Sequence, residues 1–237
     1  MTTFIQGVQK LATECGLASS PSTVVSQTGE FARLVEWYKD AYIDIQNRHQ
    51  DGWRWLRHSF TLTTSASDDA YTYSDCTDST SASAISRFGC WKLHDPYDPP
   101  KIYLSSAGVG SERWLIWLPW EDFKLIYKIG SQSTTTGQPA HITVDPQNNI
   151  LLGPSPNDVY VVTGDYYRSA QEPSVDADEP EMPSQFHNLI TWAAMMDYGN
   201  YEVAQEVLNR GHKKYRSMLR KLEANQLTSM RIGGPLV

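Results

Sequence analysis

The sequence contains little cysteine. Only three of its 237 residues are cysteines, Cys15, Cys76 and Cys90, and no Cys-x-x-Cys pair occurs. An odd count without such a pair argues against a disulfide framework and against a zinc site. Cys76 and Cys90 could meet across a hairpin, but free thiols in a reducing compartment are the simpler expectation.

Long apolar stretches are also missing, and so is an excess of positive charge. No run approaches the roughly 20 apolar residues of a membrane span, and the start, Met1 to Phe4, lacks the basic and apolar regions of a signal peptide. We therefore expect a chain that stays in the cytoplasm where it is made and makes no membrane contact. The formal charge of −7 and the pI near 5.3 argue against a protein that coats nucleic acid with its whole surface, but they allow a local basic patch.

Recognisable catalytic motifs are absent as well. The chain has no Gly-x-x-x-x-Gly-Lys loop and no Gly-x-Ser-x-Gly elbow, and Gly108 to Ser111 is too short for a dinucleotide fingerprint. The six histidines are not paired at ligand spacing, which argues against a metal site. The carboxylates of residues 172–181 lie in a proline-containing connector, whereas a catalytic pair needs rigid, partly buried positions. We therefore expect no enzyme activity, no catalytic or metal-binding residue and no cofactor.

The chain begins with two helical patterns. Residues 3–15 are amphipathic and end at Gly16, and a longer helix is expected after Thr28 as its N-cap. Trp37 and Ile43 lie off its apolar stripe, so we expect them to be exposed or to pack against another element or a neighbouring subunit. The stripe itself recurs with strong helical periodicity, and its members are Phe31, Leu34, Val35, Tyr38, Tyr42 and Ile45.

Two tryptophans follow the second helix, in Trp53-Arg54-Trp55. One interpretation is an aromatic and cationic platform for a base or a sugar. The other is a hinge plug, in which both tryptophans are buried where the helices meet the next part of the chain. Large aromatic residues favour the plug, because they dominate such junctions.

From His58 onward the pattern changes to the period of two that is typical of strands. Residues 65–84 are rich in Ser, Thr and Asp, and their acids lack the Asp-x-Asp-x-Asp-Gly spacing of a calcium loop, so we expect a weakly packed hairpin or a solvated loop. Short strands separated by Pro, Gly and Asn turns predict a sandwich or barrel-like β domain with a short helix at 120–129. The further strand candidates are 85–93, 101–104, 114–118, 141–144, 150–152 and 159–168.

The C-terminal part predicts a helical hairpin within residues 182–225, with a joint at Tyr198-Gly199-Asn200. The order of elements is therefore helix, helix, β domain, helix, helix. It predicts an α+β fold in which N- and C-terminal helices form one bundle and an antiparallel β domain is inserted between them. The predicted boundaries are 1–57 and 181–227 for the bundle, 58–180 for the β domain with its acidic connector, and 228–237 for a C-terminal tail.

Positive charge concentrates near the end of the chain. A solvated face that complements the helix C terminus is one interpretation, and a docking face for an acidic partner or for DNA phosphates is the other. The apolar tail without a helical pattern favours an interface, since such a tail is either frayed or ordered on a partner. The cations of the last predicted helix are Arg210, Lys213, Lys214, Arg216, Arg220 and Lys221, and Arg231 follows in the tail.

An ordered set of short stretches carries a family resemblance. They are Leu34-Val35, Tyr42 to Gln46, Trp53 to Leu56, Ile142 to Pro146, Ile150 to Pro156, Tyr160 to Tyr166, and Asp178 to Pro183 leading into Phe186 to Ile190. In this order they resemble the head-to-tail adaptor proteins of tailed bacteriophages, also called head-completion or tail tubular protein A-like proteins. The resemblance covers most of the chain and is weakest over residues 65–110.

The resemblance implies a non-enzymatic structural protein of the virion neck that is made in the host cytoplasm. It implies a homo-oligomeric ring, a dodecamer, between the portal protein and the tail nozzle or tube protein. Double-stranded DNA would pass through the lumen of this ring without sequence-specific binding. The helical bundle would build the ring through Trp37, Ile43, Trp53 and Trp55. The portal interface would comprise Arg220, Lys221, Arg231, Ile232, Leu236 and Val237.

Two other classes of function stay open from the residues alone. A cell-wall hydrolase of the tail would need an acid pair or a nucleophile with its base, and the sequence shows neither. The β domain could instead bind a carbohydrate or a receptor through its aromatic side chains, although the same side chains could form its core. The aromatic candidates are Tyr71, Tyr73, Trp91, Trp114, Trp117 and Trp120.

Overall fold

A computed structural model of the protein describes residues 2–49 and 52–227. These residues divide into two compact units. The helical unit contains the described residues up to Leu56 and from Ala170 onward, and the β unit is Arg57–Ser169. The predicted α+β class is confirmed, because helices and largely antiparallel sheets occur together in the chain.

The described residues form five α-helices, one of which belongs to the β unit. In chain order they are α1 (Phe4–Cys15), α2 (Gly29–Asn47), α3 (Trp120–Tyr127), α4 (Asn188–Tyr201) and α5 (Gln205–Gln226). Helix α4 packs against α1, α2 and α5, and most of its residues are buried. It is therefore the central helix of the bundle.

Local chemistry sets both ends of α1. The Thr3 Oγ1 atom accepts a hydrogen bond from the Gln6 backbone N–H, and Gln6 Oε1 accepts one from the Thr3 N–H at 3.1 Å. This capping box satisfies two backbone donors that a helix N terminus leaves unpaired. At the other end Gly16 adopts a left-handed φ of 81°, a conformation that glycine adopts without steric cost.

The joint of the C-terminal hairpin differs from the predicted one. The sequence predicts a break at Tyr198-Gly199-Asn200, but α4 continues through these residues to Tyr201 and the joint lies at residues 202–204. Gly199 serves packing instead, because a Cβ atom on it would lie 2.9 Å from the backbone N of Leu208 in α5. The glycine therefore allows the two helices to approach closely just before the chain turns.

The acidic connector is attached to the helical unit. The Asp176 carboxylate accepts the Val24 N–H at 2.5 Å, and the Asp178 carbonyl accepts the Phe4 N–H at 2.7 Å. The Gln171 N–H donates to the Gln46 side chain in α2 at 2.8 Å. The predicted boundary, which groups residues 170–180 with the β domain, is therefore corrected: these residues lie in the helical unit because their backbone is hydrogen-bonded there.

The β unit holds two larger sheets and one two-stranded sheet. The seven-stranded sheet has the order β4-β3-β1-β13-β6-β7, with β5 also paired to β13, and the four-stranded sheet has the order β2-β11-β10-β8. The third sheet pairs β9 with β12. The strands are β1 (Arg57–Thr63), β2 (Ala70–Tyr71), β3 (Cys76–Asp78), β4 (Ser83–Ala84), β5 (Cys90–Lys92), β6 (Lys101–Leu104), β7 (Arg113–Trp114), β8 (Ile116–Trp117), β9 (Thr136–Gly137), β10 (His141–Val144), β11 (Ile150–Gly153), β12 (Ser155–Pro156) and β13 (Tyr160–Tyr167).

One hydrophobic cluster takes side chains from both larger sheets, as in a sandwich. Phe60 and Val162 come from the seven-stranded sheet, Ile142 and Leu152 come from the four-stranded sheet, and all four are completely buried. The longest pairing joins β1 to β13 in antiparallel register, from Arg57 opposite Tyr167 onward. The expectation of an antiparallel domain needs one correction, because the short pairs β8–β10 and β9–β12 are parallel.

Candidate interaction surface

Helix α5 presents a row of cations on the side opposite its buried face. Gly211, Tyr215, Leu219 and Leu222 are its buried residues, at the three- and four-residue spacing of one helical face. On the outer side lie four exposed cations, which we call the basic stripe: Lys213, Arg216, Arg220 and Lys221.

Two further cations of α5 are held within the helical unit. Arg210 forms an ion pair with Glu14 of α1 at 3.2 Å, and the Lys214 ammonium lies 4.0 Å from the centre of the Trp192 ring. The basic stripe differs from them. Within the described residues, none of its four side chains forms an ion pair with a carboxylate. The stripe therefore exposes positive charge that the helical unit itself does not neutralise.

The helical unit also carries an acidic surface that the sequence analysis did not identify. Glu36, Asp40 and Asp44 are exposed and recur every four residues along α2, and Asp197 of α4 is exposed beside them. Partial desolvation by the surrounding residues raises the pKa of Asp197, and the charges of Asp40 and Asp44 raise it further. We call these four residues the acidic stripe. The four-residue spacing on α2 was the signal that could have shown it from the sequence.

The two tryptophans after α2 are part of the unit's interior. Trp53 is completely buried, donates its Nε1–H to the Ile45 carbonyl at 2.7 Å, and packs edge-on against His49. Trp55 stacks on it with ring centres 4.8 Å apart and is partly buried. The burial of Trp53 argues against an exposed platform for a base or a sugar. Trp53 has no exposed surface within the single chain, so the inter-subunit role proposed below uses Trp37, Ile43 and Trp55 instead.

The other two predicted inter-subunit residues lie on α2. Trp37 is partly buried and contacts two aromatic rings of α4, Tyr198 at 6.2 Å and Tyr201 at 5.5 Å between ring centres. Ile43 is partly buried as well. Both side chains keep some exposed surface beside the acidic stripe.

The predicted portal residues divide into two groups. Arg220 and Lys221 lie at the C-terminal end of the basic stripe, within two turns of the end of α5. Arg231, Ile232, Leu236 and Val237 lie outside the described residues.

The aromatic residues of the β unit are spread between core and surface. Tyr71 and Trp91 are buried in the hydrophobic cluster, and Trp117 packs against it. Trp114 is 70% exposed, and Tyr73 stacks on Phe88. Trp120 is partly buried beneath the Lys124 ammonium at 5.4 Å. The candidates for sugar binding therefore do not form one exposed aromatic surface.

One predicted loop acid proves to be a buried anchor. Asp78 is 1% exposed and accepts hydrogen bonds from the Tyr166 hydroxyl and the backbone N–H groups of Thr80 and Ser81, and Arg168 lies 3.2 Å away. Burial by itself would raise the pKa of Asp78, but these hydrogen bonds hold it well below its usual range. The expectation of a solvated loop is therefore wrong at this residue, because Tyr166 of β13 and Arg168, which follows that strand, enclose the carboxylate together with nearby backbone N–H groups.

The described residues were also compared with the requirements of a disulfide, a metal site and a membrane span. Cys15, Cys76 and Cys90 are free thiols. No group of three or more His, Cys, Asp and Glu side chains among residues 2–49 and 52–227 is placed to hold a metal ion. The described helices are all too short or too polar to cross a membrane.

The fold and the charged stripes define an α+β protein whose helical unit offers interaction surfaces. The family is settled by comparison with known sequences. The profile of the SU10 adaptor protein family matches residues 2–236, so the chain belongs to this family of phage head-to-tail adaptors. A search of curated proteins gives no match.

Family membership assigns the chain a structural role in the phage particle. Adaptors of this family are located at the virion neck and associate with head and tail components. The resemblance stated from the sequence is thereby confirmed at the level of the family.

Proposed function

We propose that the chain assembles into a ring, a dodecamer, that joins the portal to the tail nozzle and forms part of the DNA channel. The observation that carries this proposal is the family match, which spans residues 2–236 and therefore includes both units. The helical unit builds the ring, and the β unit faces the tail proteins. A net charge of −7 suits a channel through which DNA moves without being gripped.

The end of α5 is the proposed portal interface. Arg220 and Lys221 are exposed cations without a carboxylate partner in the described part of the chain. They precede the apolar tail residues Ile232, Leu236 and Val237 by 11 to 17 residues in the sequence, and Arg231 adds a further cation. Protein interfaces typically combine an apolar core with a polar, charged rim, and this part of the chain contains both kinds of residue.

The partly exposed Trp37, Ile43 and Trp55 supply apolar area for contacts between subunits. A ring requires a heterologous interface, in which two different surfaces of the same chain meet. Partly buried aromatic and aliphatic side chains on α2 and in the turn that follows it are suitable anchors for such a contact.

The test is a size measurement on the full chain, alone and after mixing with the portal ring of the same phage. Light scattering and negative-stain imaging should show a ring, or a monomer that becomes a ring-shaped layer on the portal. The symmetry of that layer, counted in the images, tests the dodecamer. A chain that stays monomeric and ignores the portal would contradict the proposal.

A further inference from the structure

The helical unit bears two charged stripes of opposite sign on different helices. The acidic stripe lies on α2 with Asp197 of α4, and the basic stripe lies on the outer side of α5. Asp40 and Asp44 are one helical turn apart, and so are Lys213 and Arg216, which at 1.5 Å of rise per residue gives separations of about 6 Å and 5 Å along the helix axes. The two pairs therefore match in spacing as well as in sign.

The stripes do not neutralise each other within one copy. Among the described residues, no ion pair joins a carboxylate of the acidic stripe to any cation. The nearby cations on α2 have other partners, since Arg33 lies 4.5 Å from the Tyr201 ring centre and Lys39 lies 3.9 Å from Glu172. Arg48, which caps α2 one turn after Asp44, donates a hydrogen bond to the Tyr215 hydroxyl at 3.3 Å. Both stripes are thus left with unbalanced charge in the single chain.

Crowding of like charges makes the acidic stripe costly in the isolated chain. Asp40 and Asp44 both act on Asp197, and the three carboxylates repel one another. A cation supplied from outside would relieve this repulsion. Asp197 and its two neighbours therefore favour a positively charged partner at this surface.

We propose that Lys213 and Arg216 of one copy bind Asp40, Asp44 and Asp197 of the next copy. This inference rests on the proposed ring, which needs two different and complementary surfaces on every subunit. Each copy carries one stripe of each sign. In a closed ring with head-to-tail contacts, the basic stripe of every copy therefore meets the acidic stripe of the next copy. Arg220 and Lys221, further along α5, stay available to the portal.

A second copy fits these stripes better than DNA does. DNA phosphates would neutralise the basic stripe but would leave the acidic stripe unpaired and bring more negative charge near a chain that already carries −7. Contact between copies neutralises both stripes at once. Trp37 and Ile43, which flank the acidic stripe on α2, would contribute apolar area to the same contact.

The experiment uses two charge-reversal variants of the full chain. Lys213→Glu with Arg216→Glu reverses the charge of the two proposed contact residues on α5, and Asp40→Lys with Asp44→Lys reverses the charge of the two on α2. Association is measured by sedimentation over a wide concentration range at low ionic strength, where exposed ion pairs are least screened. Circular dichroism and thermal melting verify that each variant folds like the wild type.

We expect the wild type to self-associate and each variant alone to associate at least about tenfold more weakly, since attractive pairs become repulsive ones. An equimolar mixture of the two variants should associate again, because every contact in an alternating ring then pairs opposite charges. Lys213→Arg with Arg216→Lys keeps the charge and should behave as wild type. Arg113→Glu, at an exposed position of the β unit, controls for a change of net charge.

Three outcomes would overturn the inference. The first is that the variants associate as strongly as the wild type. The second is that an equimolar mixture of the two variants does not regain association. The third is that the wild type stays monomeric at the highest concentration. DNA binding is a fourth measurement. If the wild type binds DNA strongly, and the variant Lys213→Glu with Arg216→Glu loses that binding but self-associates like the wild type, the basic stripe is a DNA contact instead. Portal binding is measured separately. Variants that still form a ring on the portal would contradict only this inference. A wild type that does not bind the portal would contradict the proposed function.

Discussion

The Tyr166 hydroxyl donates a 2.6 Å hydrogen bond to the carboxylate of Asp78, and both side chains are buried. This contact joins β13 to the segment that ends β3, across the intervening strand β1. His58 of β1 lies 3.1 Å from the same carboxylate. The middle of the seven-stranded sheet is therefore held together by one buried charged group as well as by its backbone hydrogen bonds.

Removing the Tyr166 hydroxyl should destabilise the β unit. We expect Tyr166→Phe to lower the free energy of unfolding by about 1.5–3 kcal/mol, the usual range for a hydrogen bond to a charged group. Urea unfolding followed by circular dichroism measures the change. Tyr73→Phe is the matched control, because Tyr73 is 43% exposed and should change stability little. Equal effects of the two substitutions would contradict the anchoring role of Asp78.

The same carboxylate makes stability depend on pH. The pKa of Asp78 is lowered in the folded chain, so its contribution is fully present above the unfolded pKa of about 3.9 and is lost as pH falls through the folded value. We expect the wild type to lose stability on acidification below about pH 4, and Asp78→Asn to show a flatter decline from a lower starting value. Urea midpoints across the acidic range provide the measurement. Parallel profiles for the two chains would argue against a lowered pKa of Asp78.

The close approach of α4 and α5 at Gly199 predicts a steric effect. Gly199→Ala places a Cβ atom 2.9 Å from the Leu208 backbone N, and backbone cannot shift as a flexible side chain can. The steric cost is about 1–3 kcal/mol, and alanine gains back roughly 1 kcal/mol over glycine within a helix. We therefore expect a net destabilisation of up to about 2 kcal/mol. Thermal unfolding tests this, with Gly110→Ala as a control, since a Cβ atom there meets nothing within 4 Å. A more stable Gly199→Ala variant would show that the helices are packed less tightly.

Repulsion within the acidic stripe predicts a stabilising substitution. The pKa of Asp197 is raised by partial desolvation and then by Asp40 and Asp44, so its charged form disfavours the folded state at neutral pH. That penalty disappears as pH falls through the raised pKa. We expect Asp197→Asn to stabilise the isolated chain at neutral pH by a few tenths of a kcal/mol, the size of like-charge effects between helix neighbours. The gain should shrink with added salt, and a gain that is independent of salt would point to another cause.

Deletion of residues 228–237 tests the tail. We expect the truncated chain to keep its fold and thermal stability, because all five helices and every strand described above end before residue 228. It should fail to form a ring on the portal, as judged by negative-stain imaging. Arg220→Glu with Lys221→Glu tests the other half of the same interface. Normal assembly by the truncated protein would remove the tail from the proposed portal contact.

Much of the helical unit could be predicted from local patterns. Helices α1 and α2 lie within a residue or two of their predicted positions, because periodicity, caps and Gly16 act over a few neighbouring residues. The joint after α4 was misplaced, since Gly199 looks like a helix breaker in the sequence and only the position of Leu208 shows what it accommodates.

The candidate surface was predictable only in part. The cations of α5 are evident in the sequence, but which of them have partners within the chain is not. Arg210 pairs with Glu14 and Lys214 lies over the Trp192 ring, whereas the basic stripe has no carboxylate partner among the described residues. In the same way the sequence favoured the plug over the platform for Trp53, but only its burial argued directly against an exposed platform.

The sequence by itself determined the fold class, the order of the elements and the family, because these depend on patterns that repeat along the chain. Tertiary structure alone decided which charged residues are enclosed and which are exposed. Asp78 lies in a stretch whose sequence predicts a solvated loop, but Tyr166 from a distant strand helps to bury it. Asp40 and Asp44 of α2 lie near a third carboxylate, Asp197, which belongs to another helix. The physical reason is that burial and charge proximity depend on residues far apart in the chain, which only folding brings together.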